Sequence, residues 1–103
     1  MYEIKIKDKK FKLKLTLEGW KKLKVENDLT PANVEMKMLE DTASVLSALV
    51  YYAIDMNERN SVDIDELDAS LDFRISEIIG EVIASSLPDS VKEKAKGSNS
   101  EKK

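Results

Sequence analysis

Residues 41–56, DTASVLSALVYYAIDM, form the longest apolar run of the chain. Leu39, Ala43, Leu46, Val50 and Ala53 recur at spacings of three and four, and Val45, Leu49, Tyr52 and Met56 do the same on the adjoining face. That periodicity predicts a helix. Two adjoining apolar faces make a stripe wider than a surface helix needs, so this helix is expected to be wrapped by its own domain, by a partner, or by both. It is too short and too interrupted to cross a bilayer, which takes about 20 consecutive apolar residues. It is read as the central core helix, ending near Asn57, with the other elements placed around it.

Upstream, the pattern changes period. Tyr2, Ile4 and Ile6 alternate with charges, and Phe11, Leu13, Leu15 and Leu17 alternate with polar residues. Asp8-Lys9-Lys10 separates the two runs as a polar turn. Alternation of this kind predicts a β-hairpin with one buried face and one lysine-rich face. Glu18-Gly19-Trp20 breaks the alternation, and Trp20, Leu23 and Asn27 then step at helical spacing, giving a short helix over 18–27. Thr30-Pro31 opens the next helix, over 31–40, because Thr suits the cap and Pro the first helical position. Asp41 or Thr42 could cap the central helix, or the two helices could run on as one.

Downstream, Asp63 with Glu66 three residues later reads as a capping box, starting a short helix at Ile64 that carries Leu67 and Leu71. A last helix over 73–87 carries Phe73, Ile75, Ile78, Ile79, Val82, Ile83 and Leu87, and Pro88 ends it. The remaining residues are polar and are expected to be disordered. The predicted fold is therefore α+β: an N-terminal β-hairpin packed on a bundle of four to five α-helices, with a domain over 1–90 and a polar tail over 91–103.

The 103 residues are 42% hydrophobic and 36% charged, which fits one small folded domain. Net charge is −3, but residues 1–25 hold nine lysines against three acids, whereas residues 26–90 hold fifteen acids against Lys37, Arg59 and Arg74. A basic end and an acidic middle suit head-to-tail assembly or charge-selected partners. There is no cysteine, so neither a disulfide nor a thiolate metal site is expected. The first residues, MYEIKIKDKK, lack the apolar core of a signal peptide, and a cytoplasmic location is expected.

Catalytic chemistry finds little to work with. No histidine and no cysteine are present, so the common nucleophile–base pairs are missing. Gly19, Gly80 and Gly97 are too far apart to build a phosphate loop. Asp63, Asp65 and Glu66 suit the acidic start of a helix, which the helix dipole favours. No catalytic residue, metal site or cofactor is expected.

Residues 55–66, DMNERNSVDIDE, resemble an EF-hand loop, with Asp55, Asn57, Ser61, Asp63 and Glu66 at ligand positions. Arg59 puts a cation where an oxygen ligand belongs, and Asn60 stands where Gly makes the sharp turn. A helix–loop–helix connection capped by Asp63 is the stronger reading. Lys5, Lys7, Lys9, Lys10, Lys12 and Lys14 could bind phosphate backbones. The aromatics Tyr2 and Phe11 fall in phase with the apolar residues, so a solvated face that resists edge pairing is favoured over nucleic-acid binding. Met36, Met38, Tyr51, Tyr52 and Met56 lie on or beside the widest apolar helix, where they suit the core or an adaptable interface.

The order of these elements resembles a known family. The features that carry the likeness are the hairpin opening at residue 2, the run Phe11-Lys-Leu-Lys-Leu-Thr-Leu-Glu-Gly-Trp20, and the Asn27-Asp28-Leu29-Thr30-Pro31 junction. The helix ending Val50-Tyr51-Tyr52-Ala53, the start Ser61-Val-Asp-Ile-Asp-Glu-Leu67 and the Ile/Val-rich last helix complete it. Over residues 2–87 the chain resembles the tail assembly chaperones of long-tailed, siphophage-type bacteriophages. The likeness rests on the order of elements and local patterns, with no signature residue to carry over.

That resemblance implies a non-enzymatic chaperone made in the cytoplasm of the infected host cell and absent from the mature virion. It would bind and solubilise the tape measure protein, recruit tail tube subunits, and form a homo-oligomer, with no membrane or nucleic-acid role. Such proteins are often made in two lengths by ribosomal frameshifting, and the end KEKAKGSNSEKK permits a slippery A-rich site. Trp20, Leu46, Leu49, Val50, Tyr52, Ile79 and Ile83 are the residues expected to contact clients or other copies. The alternative is a small regulatory binding module, either Ca-responsive through residues 55–66 or nucleic-acid-binding through the hairpin lysines.

Overall fold

A computed structural model describes residues 2–87 of the chain. Strands β1 (Tyr2–Ile6) and β2 (Lys9–Leu13) pair antiparallel, with Ile4 opposite Phe11 and Tyr2 opposite Leu13. The period-2 pattern buries Ile4, Ile6, Phe11 and Leu13 on one face and leaves Lys5, Lys10 and Lys12 in solvent. The turn is Lys7-Asp8, one residue earlier than the sequence suggests, and Lys9 and Lys10 already belong to β2. Lys7 takes a left-handed φ of 56° at this turn. Its ammonium lies 2.8 Å from Glu66, which ties the hairpin tip to a later helix.

Six helices follow among the described residues, against the four to five expected. Helix α1 (Leu17–Asn27) starts at Thr16, whose hydroxyl accepts from the Gly19 amide. It ends at Asp28 in the left-handed conformation, where the amides of Asp28 and Leu29 donate to the carbonyls of Lys24 and Leu23. Thr30 and Asn33 then exchange bonds: the Asn33 carboxamide accepts from the Thr30 amide, and the Thr30 hydroxyl accepts from the Asn33 amide. This reciprocal pair serves as a capping box. It launches a turn over 31–33 that leads into α2 (Val34–Glu40).

Helix α3 (Thr42–Ala53) is separate from α2, because the Asp41 backbone leaves helical geometry and its carboxylate caps α3 at the Ser44 amide. It stops at Ala53, well short of Asn57. Ile54 is extended and bridges Leu13, and the Lys14 amide donates to the Ala53 carbonyl at 2.9 Å. The sheet edge thus satisfies a backbone group that a further helical turn would otherwise satisfy, and the helix gives way. Asp55 then caps the short helix α4 (Met56–Arg59) at the Asn57 amide.

Helix α5 (Ile64–Ser70) is capped by Asp63, which accepts from the Asp65 amide. The second half of the expected capping box is replaced: Glu66 turns to Lys7 instead of its own cap. Helix α6 (Ile75–Ser86) closes the described chain. The domain boundary at residue 90 and the polar tail over 91–103 lie outside the described residues.

The core gathers around α3. Val45, Leu46, Leu49, Val50 and Ala53 are buried against Leu23 of α1, Val34 of α2, Leu67 of α5, Ile79 and Val82 of α6, and the apolar face of the hairpin. Leu39, placed in the α3 stripe by its spacing, is 84% exposed, because the break at Asp41 turns α2 onto a different face. Leu17 also falls outside its expected set: the chain has left β2 by then, and Leu17 projects into solvent from the first turn of α1.

Candidate functional site

Two arrangements around α3 could serve a function. One is a buried polar junction at its C-terminal end. Arg59 is only 7% exposed, and its guanidinium donates to both carboxylate oxygens of Glu18, at 2.8 and 2.6 Å. Its Nε donates to the Ile54 carbonyl at 3.0 Å, and one terminal nitrogen also approaches the Tyr52 carbonyl at 3.4 Å. The guanidinium also lies 5.0 Å from the centre of the Tyr52 ring. A cation over the end of a helix satisfies its free carbonyls and opposes its dipole.

The hydrogen bonds from Arg59 hold the Glu18 carboxyl below its ordinary range, against the opposing effect of burial, and raise the Arg59 pKa in turn. Burial raises the Tyr52 phenol, which keeps it neutral. Beside this junction, α1 and α3 approach so closely that a Cβ on Gly19 would lie 2.7 Å from the Tyr52 carbonyl oxygen. The junction is a clasp between helices. It also bears on the EF-hand likeness: the side chain at the fifth loop position is a buried, ion-paired cation, and residues 56–59 are helical. Among the described residues no group of three or more acidic side chains is arranged to hold a metal ion.

The second arrangement is an open groove of about 730 Å³ along the solvent side of α3. Its floor is made of Ala43, Ser44, Ser47 and Ala48, with Tyr51 at one end. Glu26 and Asn27 at the end of α1 form one wall. Ile64 and Asp68 of α5, the connection through Leu71 and Phe73, and Ile75 of α6 form the other. Phe73 is 63% exposed at the lip. The Ser47 hydroxyl donates to Asp68 at 2.6 Å, which fixes α5 against α3 and sets the groove's width. The lining is mainly apolar with acids on the rim, a surface suited to holding an apolar segment.

No family model, no curated protein and no solved structure matches the chain.

The seven residues expected to make contacts divide in two. Leu49, Val50 and Ile79 are fully buried and belong to the domain's own core, so as contact residues they are corrected. The α3 stripe is wide because the domain wraps it on several sides, which leaves those side chains no free surface. Leu46 is also buried, although it forms part of the groove lining. Trp20, Tyr52 and Ile83 are half-buried. The Trp20 indole donates to the Ser86 hydroxyl at 3.1 Å and so joins α1 to α6, and Tyr52 borders both the groove and the clasp.

Sequence reasoning missed the groove's floor and lip, namely Ser44, Ser47, Ala48, Asp68 and Phe73. It also missed Glu18 and the role of Arg59. One signal for the clasp was present. Of the seventeen basic residues only Arg59 and Arg74 are arginines, and arginine is the residue for a two-pronged carboxylate contact in a buried place.

Proposed function

We propose that this chain is a non-enzymatic tail assembly chaperone, which holds a helical segment of the tape measure protein in the groove over α3 and recruits tail tube subunits. The observation that carries the reading is the groove itself: the central helix of a small domain keeps one side uncovered, floored by small residues and edged by the exposed Phe73 and Ile64. An amphipathic client helix laid there would bury its apolar face on both partners. The hairpin-then-helices order on which the resemblance rests is present among the described residues. No helix among the described residues is long and apolar enough to cross a membrane.

Co-expression with tape measure and tail tube proteins tests the proposal. A tape measure protein that stays soluble only when this chain is present supports it. A tape measure protein equally insoluble with and without the chain contradicts it.

One observation favours a second reading, in which the hairpin binds nucleic acid. Lys5 sits directly opposite Lys10 in the ladder, a repulsive pairing that an anion would relieve. Binding to RNA or DNA that persists near physiological salt would support it.

A further inference from the structure

The hairpin, which takes no part in lining the groove, has an open edge of its own. In a strand the amide and carbonyl of one residue point to the same side, and the side alternates from residue to residue. The Lys14 amide donates to the Ala53 carbonyl, on the side of β2 away from β1. By alternation Leu13, Phe11 and Lys9 turn their backbone groups toward β1, where they meet Tyr2, Ile4 and Ile6. Glu3 and Lys5 therefore turn theirs outward, and no backbone group among the described residues pairs with them. Both residues are exposed. Unpaired backbone groups along a sheet edge are a template for a further strand.

Lysine on an edge strand ordinarily repels a further strand. Here the lysines set the charge of the strand that the edge accepts. Lys5, Lys10 and Lys12 share the solvent face of the hairpin, with Lys5 directly opposite Lys10. Among the described residues no carboxylate lies within ion-pair distance of these three, not even Glu3, which stands opposite Lys12. On the other face Ile4 and Ile6 are buried and Tyr2 is half-buried. A strand laid along β1 would place one set of side chains beside Lys5 and the alternate set beside Ile4 and Tyr2. Acids in the first set relieve the repulsion between Lys5 and Lys10, and apolar residues in the second extend the core past Tyr2. A nucleic acid could use the lysines, but it has no ladder of amides and carbonyls to pair with Glu3 and Lys5.

We infer that β1 takes up an extended segment of a partner protein as a third strand of the sheet, a segment in which acidic residues alternate with apolar ones. Main-chain bonds to Glu3 and Lys5 hold the segment, and Lys5 with Lys10 selects its charge. The occupant of this edge is extended and acidic, whereas the groove over α3 is proposed to hold a helix. The two surfaces serve different ligands, and the inference stands whatever the groove holds.

Binding of fluorescently labelled peptides to the full chain tests it. The probe is a capped peptide of alternating glutamate and valine. One control peptide carries lysine in place of glutamate. Two others carry N-methyl groups, one on its glutamates and one on its valines, so that one of them blocks the ladder whichever way the strand runs. Glu3→Pro removes an outward amide but keeps the pairing with β2, because that amide faces away from it. It also removes a negative charge, so a purely electrostatic ligand would bind it at least as well. The acidic peptide is expected to bind wild type and the basic one is not. One N-methylated peptide, and the acidic peptide on Glu3→Pro, are each expected to bind about tenfold more weakly. Lys5→Glu with Lys10→Glu is expected to reverse the preference between the acidic and basic peptides. Circular dichroism establishes that each variant folds.

An acidic peptide that fails to bind overturns the inference, and so do acidic and basic peptides bound equally well. N-methylated peptides that both bind like the parent overturn it too, on the wild-type chain, where the folding of a variant is not at issue. An RNA oligonucleotide that binds where the acidic peptide does not, and that Glu3→Pro still binds, would overturn it by assigning the lysines to nucleic acid. A chain that dimerises alone and loses the dimer with Glu3→Pro would overturn it by assigning the edge to a second copy. None of these outcomes touches the groove, which the co-solubility experiment reads separately.

Discussion

The Arg59 guanidinium grips both oxygens of the Glu18 carboxylate, at 2.8 and 2.6 Å, across 41 residues of chain. The same side chain closes the C-terminal end of α3 through the Ile54 carbonyl. One residue therefore joins the first turn of α1, the end of the central helix and the short helix α4. Arg59→Ala would leave a half-buried carboxylate and two carbonyls without their partner, and is expected to cost about 3 kcal/mol of stability. Arg59→Lys is expected to recover little, because an ammonium cannot reproduce the two-pronged geometry. Glu18 keeps some contact with water, so Glu18→Gln should cost less, about 1–2 kcal/mol. Chemical denaturation of the three variants checks this order, and an Arg59→Lys variant as stable as wild type would contradict it.

The clasp also sets an acid limit. Glu18 has a lowered pKa in the folded chain, so the unfolded chain takes up its proton first as pH falls. The resulting stability is present in full above the ordinary carboxyl value of 4.5 and is lost as pH falls through the folded value. Asp28 and Asp72, lowered by Lys24 and Arg74, act in the same direction from exposed positions. The difference between wild type and Glu18→Gln isolates the clasp. It is expected to be constant near neutrality and to narrow with acidification below the carboxyl range. A difference that does not change with pH would mean that Glu18 is not ionised in the clasp.

Two glycines should respond to alanine in opposite directions. Gly19 faces the Tyr52 carbonyl oxygen at a distance no Cβ can accept, and the obstacle is backbone. Gly19→Ala must push α1 away from α3, and is expected to cost about 1–3 kcal/mol. Gly80 lies inside α6, and a methyl group there would meet nothing within 4 Å, so Gly80→Ala is expected to gain about 0.5–1 kcal/mol from helix propensity. Thermal melts of the two variants give the signs directly.

Leu49 and Leu39 separate core from surface. Leu49 is fully buried at the centre of the α3 cluster, and Leu49→Ala is expected to cost about 2–5 kcal/mol. Leu39 has a comparable place in the apolar periodicity but stands in solvent, so Leu39→Ala is expected to change stability by less than about 0.5 kcal/mol. Denaturant midpoints decide it. Equal losses at both positions would mean that α2 and α3 pack as one continuous stripe.

The contrast between these two leucines shows what the sequence could convey. Strand alternation placed Ile4, Ile6, Phe11 and Leu13 in the core correctly, because a period of two leaves little choice of face. Thr30-Pro31 marked a change of direction through local chemistry, but residues 31–33 form a turn and the helix expected from Pro31 starts only at Val34. Periodicity alone could not see Asp41 break the stripe, nor Ile54 leave the helix to bridge Leu13. The Asp41 break rests on a local cap at the Ser44 amide that periodicity does not record, and the Ile54 bridge depends on a partner far along the chain. The groove was hidden for the same reason. It is made by where α5 and α6 do not cover α3, and no spacing within α3 records that. Charge asymmetry was plain in the sequence, but Lys7 and Glu66 spend part of it within one molecule.

The central claim is that the groove over α3 holds a client helix. The most direct measurement is co-purification of a tape measure protein, the proposed client, with this chain, comparing wild type with the groove-blocking Ser47→Arg variant and the surface control Leu39→Ala. The account predicts soluble complexes with wild type and with Leu39→Ala, and loss of the complex with a folded Ser47→Arg variant. A Ser47→Arg chain that retains the tape measure protein as well as wild type would contradict it.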